Sequence, residues 1–466
     1  MIALLAALLA LVSPQDLGVQ AFAAAPVEPA VRAADLEATV RFLASDAMRG
    51  RETGSAELMA AADGLARRLA AAGLEGGGDE GGFLQAVPLT RLRYDAVPRL
   101  TLVLAGGERR EAVWGVDFDA ASGLYAGAPL SVAVARAEGE PPALRPDTAL
   151  FLDARGRAGF ELERSAGEGW ALVVRRGSDR PGRRASDEPP RERRDRGGPP
   201  SVTVRGELAA LFAEGKVERL EVALVGELLE PPAANVIGVL RGAGTPERPG
   251  LADEVVVFSA HYDHIGVDGR APEGVDAVYN GADDDASGCA AVLELAEAFA
   301  AGTKPARTLV FLFATGEEIG LVGTNFYLER PTFPLERTVC NLNFEMIGRP
   351  DALVGGAGKL WLTGYERSNL GAAFGEAGLA LVADPRPDQN FFQRSDNYAF
   401  AVRGIVAQTL SSYDLHEDYH KVSDEADTLD WAHLEASVQA AWIGAKALAD
   451  GAIDPAWLPG GMPERR

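Results

Sequence analysis

Two spacings of apolar residues divide the chain. Leu36, Val40 and Leu43 recur at helical spacing, and residues 60–72 form an Ala/Leu/Arg run closed by Gly73. Residues 35–75 therefore read as two amphipathic helices around a glycine-punctuated loop at 46–54. From about 96 to 230 the apolar runs shorten to strand length, at 100–104, 130–135, 148–152, 170–174, 201–204 and 220–225, separated by Gly, Pro and Asp turns. Inside this strand-rich stretch, residues 175–200 have almost no apolar side chains. Acids interleave with the arginines there, which is the pattern of a solvated, disordered loop rather than a basic binding patch.

From residue 235 the pattern alternates. Residues 236–240, 254–260, 308–314, 339–344, 360–363 and 404–409 read as strands; 286–301, a segment from about 321, 370–377 and 432–448 read as helices. Strands apolar on both faces, alternating with helices, predict an α/β fold: a mostly parallel central sheet with helices on both faces, plus an inserted β-rich domain. No internal repeat is visible.

Ligands of an open α/β sheet gather beyond the carboxyl ends of its strands. The chain places chemistry there repeatedly. His261-Tyr-Asp-His264 follows one strand, Gly316-Glu-Glu318 another, and Glu345 closes a third. His420 lies past the strand ending near Leu410, and Gly281-Ala-Asp-Asp-Asp-Ala-Ser-Gly288 holds Asp283 just before a helix. All five histidines (261, 264, 416, 420 and 433) fall in the last 206 residues. His261, Asp283, Glu318, Glu345 and His420, with Glu317 to spare, supply donors for two metal ions and a general base. Each block alone has a plainer reading: a solvated acid, a carboxylate pair at a helix N-terminus, or a calcium loop. Histidines at two strand ends favour a transition metal. His264 and His416 fit equally as neighbours of the ligands or as surface residues.

Charge and composition narrow the partners. A net charge of −23 argues against nucleic acid, whose phosphates need a basic face. The apolar run at residues 2–12 is too short to span a bilayer and resembles the core of a signal peptide, with Ala21-Phe-Ala23 as a small-x-small cleavage site. No stable membrane insertion is expected, and the location predicted is outside the cytoplasm, periplasmic or extracellular. Cys289 and Cys340 lie in apolar stretches and read as buried free thiols, though spacing alone does not exclude a disulfide.

With these motifs assembled, the chain resembles the zinc-dependent exopeptidase family of secreted bacterial leucine aminopeptidases and glutamate carboxypeptidases. The likeness covers residues 35–95 and 231–450, including Leu43-Ala-Ser-Asp-Ala-Met-Arg-Gly-Arg-Glu-Thr-Gly54 and Gly82-Phe-Leu-Gln85. The stretch between looks like a protease-associated domain. The organisation implied is a leader at 1–23, a peptidase domain at 30–95 and 231–450, a β-rich insertion at 96–230, and a tail at 451–466. The resemblance implies a phosphorylase/hydrolase-like fold holding two zinc ions per chain. His261 pairs with Glu345 on one ion, Glu318 with His420 on the other, and Asp283 bridges them. Glu317 resembles the general base acting on a metal-bridging water. Asp263 resembles the acid that orients His261, and Asp284 a residue held next to the bridge, often in a cis peptide. Tyr419 is either an oxyanion donor or a packing aromatic. Arg394, Ser395 and Asp396 match a segment bordering the substrate pocket. The family usually has Asp where this chain has Glu345. The activity implied is removal of N-terminal residues from peptides. A carboxypeptidase or dipeptidase would need a basic cluster, for which Arg394 and Arg349 are available. A glutaminyl cyclase would need only one metal, and a non-catalytic ectodomain should have lost ligands.

Overall fold

The computed structural model describes residues 17–27, 30–122, 130–137, 140, 142–154, 156–166, 169–181, 193–194 and 199–464. The chain forms two units, Met1–Pro88 with Pro232–Arg466, and Leu89–Pro231.

The first unit is built on a nine-stranded sheet. Its strands are β1 (Glu75–Gly76), β2 (Leu84–Ala86), β3 (Ala234–Leu240), β4 (Val255–His261), β5 (Thr308–Ala314), β6 (Thr338–Phe344), β7 (Leu360–Leu362), β8 (Leu381–Ala383) and β9 (Val406–Ser411). They lie in the order β1-β3-β5-β4-β6-β9-β7-β8, with β2 also on β3. The central four, β5-β4-β6-β9, run parallel. Outside them, β3 pairs antiparallel with β1, β2 and β5, and β7 antiparallel with β9. The sheet is therefore mixed, which corrects the expectation of a mostly parallel one. Strands buried on both faces carry the same unbroken apolar signature in either direction.

Alternation along each strand feeds two cores. Val256, Phe258 and Ala260 of β4, with Leu309, Phe311 and Phe313 of β5, face one core. That core is closed by helices α1 (Val19–Ala23), α2 (Ala33–Leu43), α3 (Ala56–Ala71) and α4 (Gly288–Ala301). Val255, Val257, Val310 and Leu312 face the other, closed by α5 (Val322–Glu329) and α7 (Asn397–Ala401). Each such side chain contributes roughly 1.5–3 kcal/mol on burial. Helix α6 (Leu370–Ala377) and the long α8 (Trp431–Ala449) complete the first layer. Ser55 Oγ accepts the N–H of Leu58 to start α3, and Asp430 accepts that of His433 to start α8.

Two terminal expectations meet the structure differently. Val19 and Phe22 of α1 are buried, Phe22 stacks on Phe42 with centroids 4.1 Å apart, and Arg68 donates to the carbonyl of Ala25. The leader boundary expected at Ala23 thus falls at the end of a packed helix; residues 1–16 lie outside the described residues. The expected tail is docked: buried Arg307 binds the Ile453 carbonyl at 2.6 Å and Asp454 at 2.6 Å, and Trp457 donates to Gly404 O. Cys289 and Cys340 are both buried and free. Among the described residues no helix is long and apolar enough to cross a membrane.

The second unit carries an eight-stranded sheet in which Leu130–Ala137, Thr148–Leu152, Leu172–Arg176 and Ser201–Val204 run parallel. Two helices, Gly156–Ala166 and Gly206–Ala213, accompany it. Neither was legible as a helix among the glycine-rich turns. Of the expected loop at 175–200, Arg175 and Arg176 belong to a strand and pair with Glu163 and Asp153. Residues 182–192 and 195–198 lie outside the described residues.

Candidate metal centre

The carboxyl ends of the parallel strands deliver the site. His261 is the last residue of β4, Glu317 and Glu318 follow β5, and Glu345 follows β6. The chain beyond β9 carries His416, Tyr419 and His420, the last with φ of +56°. The acidic loop before α4 leaves Gly281 at φ +58°, where a Cβ would come within 2.6 Å of the His264 ring.

Two groups of donors form. In one, His261, Asp284 and Glu345 offer atoms within 4.8 Å of one another; in the other, His264, Asp284 and Glu318 do. His261 Nε2 lies 3.2 Å from Asp284 Oδ1, and His264 Nδ1 lies 2.8 Å from Glu318 Oε1. His420 Nε2 joins the second group, 3.2 Å from Asp284 Oδ2 and 3.4 Å from Glu318 Oε2. The shared carboxylate is therefore Asp284. This corrects the assignment of Asp283, whose Oδ1 accepts from Gly348 N at 2.7 Å and Ser287 Oγ at 3.1 Å, while Oδ2 faces His416 Nε2 at 3.0 Å. The Asp284–Asp285 peptide is cis. His264, left open by sequence, is buried in the second donor group, and His416 contacts Asp283.

The donor atoms crowd together without full hydrogen bonding. His261 Nε2, both ring nitrogens of His264, Glu318 Oε1 and Glu345 Oε2 are buried without an aligned hydrogen-bond partner. Buried polar atoms are almost always satisfied, so such a cluster calls for a ligand. Imidazole and carboxylate in these numbers are the donors zinc takes, and the residues present fit it.

Surrounding groups fix the donors. His261 Nδ1 lies 3.2 Å from the main-chain oxygen of Asp263 and 3.9 Å from its carboxylate. The orienting contact expected from the Asp263 carboxylate thus falls to its carbonyl. The carboxylate itself accepts from Thr53 Oγ1 at 2.8 Å and from the Glu317 N–H at 3.1 Å, which ties down the turn bearing both glutamates. Ser259, Asn341 and Asn343 form a buried polar ladder from β4 to β6, and Asn343 Nδ2 donates to Ser395 Oγ at 2.8 Å. Three residues missed by sequence reasoning complete the frame. Asp424 accepts the N–H groups of Asp283 and Asp284, Asp285 accepts those of Gly288 and Met346, and buried Arg51 donates to four carbonyls. Arg51 lay within the 43–54 motif; Asp424 had no signal beyond standing four residues after His420.

Adjacent acids are driven apart electrostatically. Burial pushes Glu317 well above the usual carboxylate range; His261 opposes this, while Glu345, Asp396 and Glu318 repel its charge. For Glu318, burial and Asp284 oppose ionisation, yet contacts with His264 and His420 outweigh them and bring it down to about 2. Burial lifts Glu345 to about 7, partly offset by His261. Divergent neighbours of this kind mark a proton carrier beside a charged ligand. Tyr419 stacks on His420 at 3.8 Å, and burial raises its phenol. Arg394 and Ser395 line a cavity beside Glu345. Asp396 does not line it; it is buried and accepts from Thr324 Oγ1 at 2.5 Å.

Comparison with known proteins agrees with this architecture. Residues 235–443 match peptidase family M28. A probable zinc metalloprotease of Pyricularia oryzae is 38% identical over 130 residues, 28% of this chain and 22% of that protein. The chain thus matches about a fifth of the length of that relative. An aminopeptidase from Aneurinibacillus sp. strain AM-1 superposes with a TM-score of 0.55 at 19% identity, over 93% of this chain and 96% of that one. BSAP, a zinc aminopeptidase from Bacillus subtilis, gives 0.51 at 17% identity, over 94% and 99%. The fold is that of these aminopeptidases.

Proposed function

We propose that this chain, whose residues 235–443 match peptidase family M28, is a zinc-dependent aminopeptidase carrying two ions per chain. The observation that carries this reading is the pair of donor groups sharing Asp284. His261, Asp284 and Glu345 would hold one ion; Glu318, Asp284 and His420, with His264 beside them, the other. Zinc bound there supplies Lewis acidity, which polarises a carbonyl and makes water more acidic near neutral pH. Glu317 is the free acid of the site. It takes the proton of the attacking water and returns it to the departing amine, and its raised pKa suits both transfers. Tyr419, stacked on His420, would donate to the oxygen on which charge develops. The acid-rich surroundings suit a substrate's free α-amine.

The other readings find less support. Arg349 is committed to Asp418, Asp424 and Thr428, which leaves Arg394 alone beside the site where a carboxypeptidase would need a basic cluster. Two donor groups exceed a cyclase's single metal. Retained donors and Glu317 disfavour a non-catalytic ectodomain. The run at residues 2–12 supports export as the location, periplasmic or extracellular, and the unit at 89–231 is read as a protease-associated-like insertion on the strength of its strands.

The test is metal analysis of the purified protein together with peptides bearing free or blocked N-termini. About two zinc equivalents, loss of turnover on chelation, and cleavage only of free N-termini are expected. Full activity in metal-free protein, or cleavage from the carboxyl end, would overturn the reading.

A further inference from the structure

His264 is 1% exposed, and its Nδ1 comes within 2.8 Å of Glu318 Oε1. At that separation an imidazole N–H aimed at a carboxylate makes a short, charge-assisted hydrogen bond. Here the alignment is absent: neither atom has a hydrogen-bond partner of proper geometry, and the ring's Nε2 has none either. Buried polar atoms are almost always satisfied. Co-ligands of one ion approach each other closely without such alignment, because each lone pair is directed at the metal and not at its neighbour.

The fold seats this ring with care. The His264 N–H donates to the Arg51 carbonyl at 3.2 Å, and Gly281, at φ +58°, leaves room that a Cβ would close to 2.6 Å from the imidazole. The ring meets that of His420 edge-on, with centroids 5.8 Å apart. His420 Nε2 lies 3.4 Å from Glu318 Oε2 and 3.2 Å from Asp284 Oδ2, and His264 Nδ1 lies 3.9 Å from that same Oδ2. Two imidazoles thus approach the same two carboxylates.

Counting donors separates the two groups. Glu318, Asp284, His420 and His264 make four, the number a tetrahedral zinc takes when no position is left open. His261, Asp284 and Glu345 make three, the number of a catalytic site that keeps one position open. Glu345 lines the adjoining cavity, and none of Glu318, His420 and His264 does.

We propose that His264 is a fourth protein ligand of the ion at Glu318 and His420, so that this site is closed and fills first, while the ion at His261 and Glu345 keeps the open position for substrate. The inference rests on the two-ion reading above. Hydrogen bonding to Glu318 is the competing role, and Asn and Asp part the two. Each can place an atom near the position of Nδ1. Asn keeps an N–H for Glu318; Asp offers a charged oxygen to a metal and repels Glu318 if none is bound there.

The test is zinc titration of the full-length apo protein against a chromophoric chelator. His264→Asn should weaken the tighter of the two steps more than ~100-fold, beyond what an outlying partner of a ligand costs, and His264→Asp should stay within ~10-fold of the wild type. The reverse order, with Asn retaining the tight step and Asp losing it, would overturn the assignment. Should both variants lose that step, X-ray absorption of the wild type holding one zinc equivalent decides. Two imidazoles on that ion are expected, and a single one would overturn the proposal. A wild type that takes up no zinc would instead sink the two-ion reading itself.

Discussion

Asp424 Oδ2 accepts the main-chain N–H of Asp284 at 3.1 Å, and its two oxygens together hold that of Asp283. One buried carboxylate therefore sets the loop that presents the shared donor. Replacing it by Asn leaves a single acceptor oxygen and turns an amide NH₂ toward two N–H groups. Asp424→Asn is expected to weaken zinc binding ~10–100-fold, as outlying partners of metal ligands typically do. Zinc titration of the apo protein checks this; unchanged affinity would show that the loop holds its shape unaided.

Asp283 and Asp284 should separate cleanly by mutation. Asp284→Asn removes the charge shared by both donor groups and is expected to lose both ions. Asp283→Asn should keep them, while losing about 1–2 kcal/mol of stability from its contacts with Gly348, Ser287 and His416. Metal content and melting curves of the two variants decide the matter. Loss of metal from Asp283→Asn alone would restore Asp283 as the bridge.

Glu294 predicts a pH dependence remote from the site. It lies buried on α4, and burial, with Glu297 and Asp35 adding, raises its pKa from 4.5 to about 8. The folded state thus holds a proton that the unfolded state releases at lower pH, so stability falls as pH rises from 4.5 to about 8. Glu294→Gln should melt like the wild type at pH 4 and be more stable above pH 8, by on the order of 5 kcal/mol. A gap independent of pH would contradict the buried acid.

Helix α1 bears on where the mature chain begins. Phe22 packs on Phe42, and Arg68 reaches back to Ala25. A protein lacking residues 1–25 should melt below one lacking only 1–16, and Phe22→Ala in the longer form should cost ~3 kcal/mol. Equal melting temperatures would mean that α1 contributes nothing, and a leader ending at Ala23 would stand.

His261, Glu318 and Glu345 were legible because a site at strand ends needs donors soon after apolar runs, and runs of seven buried residues such as β4 and β5 are hard to misplace; His420, nine residues past β9, was legible by its residue type. Choosing among Asp283, Asp284 and Asp285 was not, since three identical residues share one environment in sequence. Only the backbone path, extended at Asp284 with φ −107° and ψ +96°, selects which carboxylate is shared by the two donor groups. Asp424 escaped notice because an acid in a polar stretch looks solvated until the chain folds its N–H partners onto it. The antiparallel edges of the sheet were hidden for the same kind of reason: burial on both faces erases the alternation that would reveal direction.

Arg51 is fully buried and donates to the carbonyls of Leu43, Tyr262, Asn280 and Gly281, three of them more than two hundred residues away in sequence. None of those oxygens is a metal donor. The segment 235–443 that matches peptidase family M28 contains every candidate ligand and lacks this arginine. Excised alone, that segment would keep the full inventory of donors without the clasp that fixes where two of their loops begin. Ligand identity travels with a motif; aim belongs to the whole chain, and here it is supplied by a cation from the opening fifty-one residues.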